Sequence, residues 1–300
     1  MRRILLAASV VVALAGLGAG AQQLTTNEQL IIDFFNFAGS RDARAARFMT
    51  ADYRQHNPRF LRMDEFTGAT GSQAWVSAFD EAAKRGVQLV ALNGIRLRDP
   101  IIVMHDGDMA MAVYRGTRPD PARPGSTYEI FAFESFRFRD GRFSEHWDQV
   151  RLAPGWLTPA PAQGARRGAP PAPAAAAPPP PPIPKPDAGC SATPAQLDAN
   201  RTRIVSLFSG APAALTAALA PGFVDHSPRG LAQGPIPEPD AVSARAVDHV
   251  LAECDYVSVV WKQVVRDPDT PSRTWEAFTF DTVRLAAGRI AEHWDAAASR

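Results

Sequence analysis

The strongest constraint on this chain is that it is written twice. The run Thr127-Tyr-Glu-Ile-Phe-Ala-Phe-Glu-Ser-Phe-Arg-Phe-Arg-Asp-Gly-Arg-Phe-Ser-Glu-His-Trp-Asp148 aligns without a gap on Thr274-Trp-Glu-Ala-Phe-Thr-Phe-Asp-Thr-Val-Arg-Leu-Ala-Ala-Gly-Arg-Ile-Ala-Glu-His-Trp-Asp295, and 11 of the 22 pairs are identical. Upstream, Tyr53-Arg-Gln-His-Asn-Pro-Arg59 matches Phe223-Val-Asp-His-Ser-Pro-Arg229 in the same order. An internal duplication therefore sets the architecture: one unit, folded twice. The copies differ in length. His56 and His146 lie 90 positions apart, whereas His226 and His293 lie 67 apart, so the first copy carries 23 additional residues between its signatures.

Between the copies lies a tract dense in proline and alanine, including Pro178 to Pro182, Pro184 and Pro186. Proline has no backbone N–H, so such a stretch builds neither a helix nor a sheet ladder and reads as an extended linker. At the start, Met1-Arg2-Arg3 precedes an apolar run from Ile4 to Leu17 and the small residues Ala19-Gly20-Ala21. That is the three-part pattern of a secretory signal peptide, too short for a comfortable membrane span. The expected plan is a signal peptide at 1–21, a first domain at 25–155, a linker at 156–188 and a second domain at 189–298. The mature protein is expected to be periplasmic or secreted, with no membrane attachment after signal removal. Export makes a disulfide between Cys190 and Cys254 chemically feasible, and neither cysteine sits in a metal-binding or redox spacing. A net charge of +1 gives no reason to expect a nucleic-acid partner.

Each copy reads as helices first and strands after. Apolar residues at Leu30, Ile31, Phe34, Phe35 and Phe48 predict a helix and a second short helix over 27–49. The run 194–219 repeats the pattern. A third helix is expected at 71–85, with a counterpart at 240–252. Strands are expected at 87–97, 101–105, 109–117, 128–139 and 142–151, with Asp106-Gly107 and Asp140-Gly141 as tight hairpin turns. The class is α+β.

With the His-x-Pro signature behind paired helices, and a last hairpin ending Gly-Arg-x-x-Glu-His-Trp-Asp, both copies resemble the SnoaL-like branch of the nuclear transport factor 2-like superfamily. The resemblance covers about residues 25–155 and 189–298. It implies two cone-shaped domains, each a curved antiparallel sheet wrapped around N-terminal helices and enclosing an apolar pocket. Members include polyketide cyclases that close rings by aldol condensation, epoxide hydrolases, isomerases, and many pocket domains with no chemistry. Sheets in relatives often pair face to face, so an intramolecular pseudo-dimer or a homo-oligomer is expected.

Alternation along a strand places His146 and Asp148 on one face and Glu145 and Trp147 on the other. A plain two-residue turn at Asp140-Gly141 would set Ser135 opposite His146 and Phe133 opposite Asp148. The expected pocket is Phe133, Ser135, His146 and Asp148, and in the second copy Phe280, Thr282, His293 and Asp295. An imidazole beside a carboxylate can move protons at a carbon or a leaving oxygen. Acid/base chemistry on a small apolar carbonyl compound is the candidate activity. Asp148 is the acid/base that the resemblance implies, with Asp295 in the second copy. His146 is its partner, and His56, His226 and Tyr53 are orienting groups. Phe223 in place of Tyr53 removes a hydroxyl from the second copy. A non-catalytic ligand-binding module and a dimerisation module remain open as alternatives. No cofactor or metal is expected, because no short-range ligand motif is present, although His56, His146 and Asp148 are chemically suitable ligands.

Overall fold

A computed structural model describes residues 24–36, 43–87, 89, 95, 97, 100–120, 123–150, 152–158, 190–227 and 240–295. The signal peptide expected at 1–21, nearly all of the strand expected at 87–97, and the proline tract from 159 onward lie outside the described residues. No helix among the described residues is long and apolar enough to cross a membrane.

The first copy opens with α1 (Thr26–Asn36), a 3-10 turn (Ala43–Phe48) and β1 (Met49–Gln55). Then follow α2 (Pro58–Thr67), α3 (Gly71–Arg85), β2 (Pro100–Asp106), β3 (Met109–Pro119), β4 (Thr127–Arg139) and β5 (Arg142–Asp148). The second has α4 (Pro194–Ser209), α5 (Pro212–Ala217), β6 (Leu219–Asp225), β7 (Ala246–Glu253), β8 (Tyr256–Arg266), β9 (Thr274–Ala286) and β10 (Arg289–Asp295). The two sheets have the same order, β1-β5-β4-β3-β2 and β6-β10-β9-β8-β7. Four strands of each form an antiparallel meander. The fifth, β1 or β6, joins parallel to the last strand, so each sheet is mixed.

Local chemistry explains several elements that the sequence pattern misread. His56 was expected behind the paired helices, but it follows the strand β1 and precedes the helix α2. Asn57 caps α2 by accepting from the Arg59 N–H at 2.8 Å, with Pro58 at the first helical position. Asn-Pro thus starts a helix here, since proline lacks only an N–H that the first turn leaves unused. Gly71 starts α3 at φ +61, and a Cβ there would run into the Ala51 carbonyl, so only glycine fits. In the second copy, the helix expected at 240–252 is the strand β7. It lies against β8, with Leu251 turned to the other copy and Ala252 to its own core. The shorter spacing of that copy leaves only residues 226–245 between β6 and β7, where the first copy holds α2 and α3 between β1 and β2.

Each sheet packs its inner face on its helices. The first core joins Phe34, Phe60, Trp75, Phe136 and Phe143, and Trp156 and Leu157 pack on it. The second core joins Ile204, Phe208, Trp261, Val283 and Ile290. Cys190 and Cys254 are bonded, with Cα atoms 5.4 Å apart, tying the approach to α4 to the β7–β8 turn.

The outer faces pack against each other through a third cluster that includes Met111, Phe133, Trp147, Val260, Phe280 and Trp294. Equivalent residues meet across it. Phe133 stacks on Phe280 with centroids 5.3 Å apart. His56 meets Phe278 at 5.6 Å, and His226 meets Phe131 at 6.4 Å. The His105 N–H donates to Glu253 at 3.0 Å while the Ala252 N–H donates to Asp106 at 2.9 Å. This reciprocity is that of an isologous dimer interface, here within one chain.

Candidate functional site

The last hairpin of each copy places the signature residues, and a bulge decides which ones share a face. Asp140 and Gly141 both have positive φ, as do Ala287 and Gly288, so the turns are two-residue hairpins. The pairing then slips by one: Phe138 pairs with Phe143, but Arg137 pairs with Glu145, leaving Ser144 as an extra residue. Ala291 is the extra residue in the second copy. A one-residue slip moves a strand's partners to the other face. Glu134 therefore stands opposite Asp148 and Phe136 opposite His146. The expected pocket residues Phe133 and Ser135, and likewise Phe280 and Thr282, instead lie on the outer face between the copies. There Ser135 Oγ lies 3.1 Å from His249 Nε2, and Thr282 donates to Ser258 at 2.9 Å.

The Glu-His-Trp-Asp signature is thus two-faced. On the outer face His56 stacks flat on Trp147, centroids 4.7 Å apart, and its Nε2 lies 3.1 Å from Glu145. His226 repeats this on Trp294 and Glu292, at 4.9 and 3.1 Å. Both histidines serve the junction between copies and do not share a pocket with His146 or His293, which corrects their expected orienting role. On this outer side a cleft of about 230 Å3 runs along the bulge, lined largely by charged groups such as Arg54, Arg137 and Glu145.

The inner face of the first copy holds the group with chemical capacity. His146 is 1% exposed. Its Nδ1 lies 2.9 Å from Gln55 Nε2 and 3.1 Å from Tyr53 Oη, and its Nε2 lies 2.7 Å from Glu134. Gln55 Oε1 accepts from the His56 and Asn57 N–H groups, which fixes the amide so that its NH2 donates to Nδ1. The ring proton then sits on Nε2 and points at Glu134. Burial pushes His146 down to about 4, against the opposing pull of Asp148. Burial raises Glu134 to about 8. Burial, then the charge of Glu134, raises Asp148 to about 7. Imidazole and carboxyl groups are held near neutral because the apolar shell penalises charge. Asp148 Oδ2 accepts from Asn57 Nδ2 at 2.9 Å, while Oδ1 is shut from solvent without a hydrogen bond. Tyr53 is committed to His146, so it does not address a substrate directly.

The second copy has the same plan with a different charge. Asp225 replaces Gln55 and lies 3.1 Å from His293 Nδ1, and Asp281 lies 3.1 Å from Nε2. Two carboxylate acceptors require both ring nitrogens to carry protons. Burial opposes the charge, but the hydrogen bonds to Asp225 and Asp281 prevail and raise His293 to about 9. Asp281 also accepts from Trp261 Nε1 at 2.8 Å and from Arg245 at 3.4 Å. Asp295 adds a further negative charge beside His293.

Sequence reasoning passed over Glu134 and Asp281, which align as acids in β4 and β9 and are both buried. Gln55 and Asp225 also align, two residues beyond Tyr53 and Phe223. Among the described residues two sets of donor atoms converge within 4.8 Å: Glu134, His146 and Asp148, and at the junction Glu28, His105 and Glu253. In the first set both ring nitrogens are already engaged, which makes it a hydrogen-bonded relay.

No family model matches the sequence, and no curated protein matches it. Solved structures do. An NTF2-like protein of unknown function from Burkholderia pseudomallei is 14% identical, with a match covering 43% of this chain and 92% of its own, at a TM-score of 0.28. A structure from Pseudomonas putida named as a polyketide cyclase is 20% identical over 43% of this chain and 94% of its own, TM-score 0.28. One from Shewanella putrefaciens named as a SnoaL-like polyketide cyclase is 16% identical over 42% and 90%, TM-score 0.26. Each match has the length of one copy, and the chain is two tandem α+β domains similar in fold to NTF2-like and SnoaL-like proteins.

Proposed function

We propose that the first copy binds a small, mostly apolar carbonyl compound and moves protons on it without a cofactor, as a lyase, isomerase or aldol-type cyclase. Asp148 is the acid/base. The observation that carries this reading is its carboxyl group: held near pH 7 by burial, with Oδ1 kept from water and from every hydrogen-bond donor. A carboxyl poised near the working pH serves equally as acid and base. Asn57 holds Oδ2, and the neutral His146–Glu134 pair beside it receives or returns a proton through short hydrogen bonds. The second copy, with its imidazolium locked between two carboxylates, supports the first. The mature chain is proposed to be exported, which the Cys190–Cys254 bond supports.

The test is ligand retention. The chain is purified from its host and denatured, and released molecules are identified by mass spectrometry beside an Asp148→Asn variant. Wild type should release a carbonyl compound or its product, and the variant only the unconverted compound. The same unaltered molecule from both would make the first copy a carrier.

A second reading, a pairing module, draws on the apolar outer faces that bury Phe133 and Phe280 against each other. It predicts an undiminished role for Asp148→Asn, and loss of function when Trp147 is removed.

A further inference from the structure

Of the two sets of converging donor atoms, the one at the junction has no part in the chemistry of Asp148. Glu28 lies on α1, His105 on β2 and Glu253 at the end of β7, so three elements of two copies meet there. Glu28 is 0% exposed, and its Oε2 accepts from the Thr25 N–H at 2.6 Å, which fixes the carboxylate. Glu253 Oε2 accepts from the His105 N–H at 3.0 Å, which leaves Oε1 3.4 Å from His105 Nδ1.

The reciprocity of the junction provides a comparison. The pseudo-two-fold that exchanges the His105–Glu253 and Ala252–Asp106 hydrogen bonds relates Glu253 to Asp106. It also relates α1 to α4. Ile31 and Ile204 are both fully buried, and four residues on, Phe35 and Phe208 touch Tyr114 and Trp261, at 5.5 and 6.5 Å. Those two rings stand at equivalent places, opposite Ala132 and Thr279. The same spacing, three residues before each isoleucine, sets Glu28 against Arg201. Arg201 Nε donates to Asp106 Oδ2 at 3.0 Å, and Nη2 donates to the same oxygen. One corner therefore joins a guanidinium to a carboxylate. The related corner has a carboxylate in place of the guanidinium, facing another carboxylate, with an imidazole in place of the methyl of Ala252. Two carboxylates largely shut from water repel each other unless positive charge lies between them.

We propose that Glu28, His105 and Glu253 form a zinc-type divalent cation site that clamps the two copies together. Two carboxylates and one imidazole suit a borderline ion such as Zn2+, whereas calcium and magnesium call for more oxygens. The spacing fits. Ligand atoms about 2.1 Å from zinc at tetrahedral angles stand about 3.4 Å apart. His105 Nδ1 and Glu253 Oε1 are 3.4 Å apart, and the Glu28 oxygen lies within 4.8 Å of both ligands. A neutral imidazole protonated on Nε2 presents the Nδ1 lone pair to the ion. The Thr25 and His105 N–H groups orient the two carboxylates from outside, as the outer partners of a metal site do. The side chain of His105 is 36% exposed, which gives water access to the fourth position. The ligands come from positions 28, 105 and 253, so no short motif marks them in the sequence.

The experiment uses the full chain, stripped with a chelator and titrated with ZnCl2 by calorimetry, and X-ray absorption reads the zinc-loaded chain. Wild type should bind one equivalent at micromolar concentration or below and melt at higher temperature as zinc is added. The absorption spectrum should show one imidazole among oxygen ligands. His105→Ala and Glu253→Gln should each weaken uptake about a hundredfold, the upper end of what loss of a supporting partner costs a metal site. Glu28→Arg should abolish uptake and melt, in chelator, above zinc-free wild type, because the arginine repeats the Arg201–Asp106 pair. Uptake unchanged in these variants, or two imidazoles around the zinc, overturns the site and places the ion elsewhere. Absence of saturable uptake overturns it too, and makes a protonated His105 the counter-charge. Should a variant fail to fold, the spectrum of the wild type decides alone.

Discussion

One side chain separates the two buried histidines of this chain. Gln55 in the first copy and Asp225 in the second face the same ring nitrogen, at 2.9 and 3.1 Å. The amide donates to Nδ1, so His146 keeps a single proton and stays neutral. The carboxylate accepts from Nδ1, so His293 needs two protons and is a cation. Around the first ring, carboxyl groups sit near neutral with a vacant acceptor at Asp148. Around the second, charges are paired off: His293 with two aspartates, and Asp281 with Trp261 and Arg245 as well. The duplicated fold thus carries one site able to exchange protons at neutral pH and one locked by its own ion pairs.

The largest effect should come from breaking the lock. Asp281→Ala removes the acceptor for His293, Trp261 and Arg245 at once and leaves a buried cation short of a counter-charge. Truncating one partner of a buried pair typically costs about 3–5 kcal/mol. Chemical denaturation followed residue by residue by NMR should show the second copy losing that much while β1 to β5 change little. Equal loss in both copies would mean that they fold as one unit, and the contrast between the sites would then not be separable by mutation.

Exchanging the deciding residue comes next. Gln55→Asp in the first copy should lift His146 from about 4 toward the value near 9 of His293, and Asp225→Asn should lower His293. A change of two units in either ring is about 3 kcal/mol of differential interaction. Imidazole carbon shifts across pH 4 to 10 measure both. If Gln55→Asp leaves His146 neutral, the charge is set by the surrounding side chains, and the residue facing Nδ1 is secondary.

Much of this was written in the sequence, and what was missed has a physical reason. The duplication, α3 and the Asp140-Gly141 turn follow from periodicity and turn chemistry. The helix-then-strand order does not hold, since β1 precedes α2 and α3, and the first tight turn sits one residue on, at Gly107-Asp108. The face assignments failed because a bulge is invisible to alternation: Ser144 and Ala291 look like ordinary strand residues, yet each shifts the partner strand by one, so that Glu134 in place of Phe133 faces Asp148 and Asp281 in place of Phe280 faces Asp295. A repeated acid at Glu134 and Asp281, next to the aromatic Phe133 and Phe280, was the available signal. The His-x-Pro signature was expected behind the paired helices, whereas Asn57 and Pro58 start α2, which only the cap geometry reveals.

A smaller effect distinguishes the copies by pH. Glu134 and Asp148 are protonated in the fold at about 8 and 7, against ordinary values of 4.5 and 3.8. Such groups contribute stability that is complete below the unfolded values and lost as pH rises through the folded ones. His146, held at about 4 against 6.5, acts oppositely and loses stability as pH falls from 6.5 to 4. Two carboxyls outweigh one imidazole, so the first copy should weaken steadily from about pH 4.5 to 8. His293, raised to about 9, gives the second copy a contribution intact below pH 6.5 and lost only as pH climbs through 9. Residue-resolved denaturation at pH 5, 7 and 8.5 should show the first copy declining first. The reverse order would mean that Glu134 and Asp148 are ionised in the folded state.

The smallest change tests how far the first site depends on its tyrosine next to the ring. Phe223 already stands where Tyr53 does, and the second copy folds around it. Tyr53→Phe removes one hydrogen bond to Nδ1 and leaves the Gln55 amide in place at 2.9 Å. The expected cost is about 1 kcal/mol, the net worth of one neutral hydrogen bond, with no orphan created because Nδ1 keeps a donor. The proton stays on Nε2, so His146 should titrate as before and Asp148 should keep its acid/base character. A fall in proton-transfer activity far beyond that stability change would show that the hydroxyl does more than hold the ring, and that the neutral histidine, rather than Asp148 alone, takes part in moving the proton.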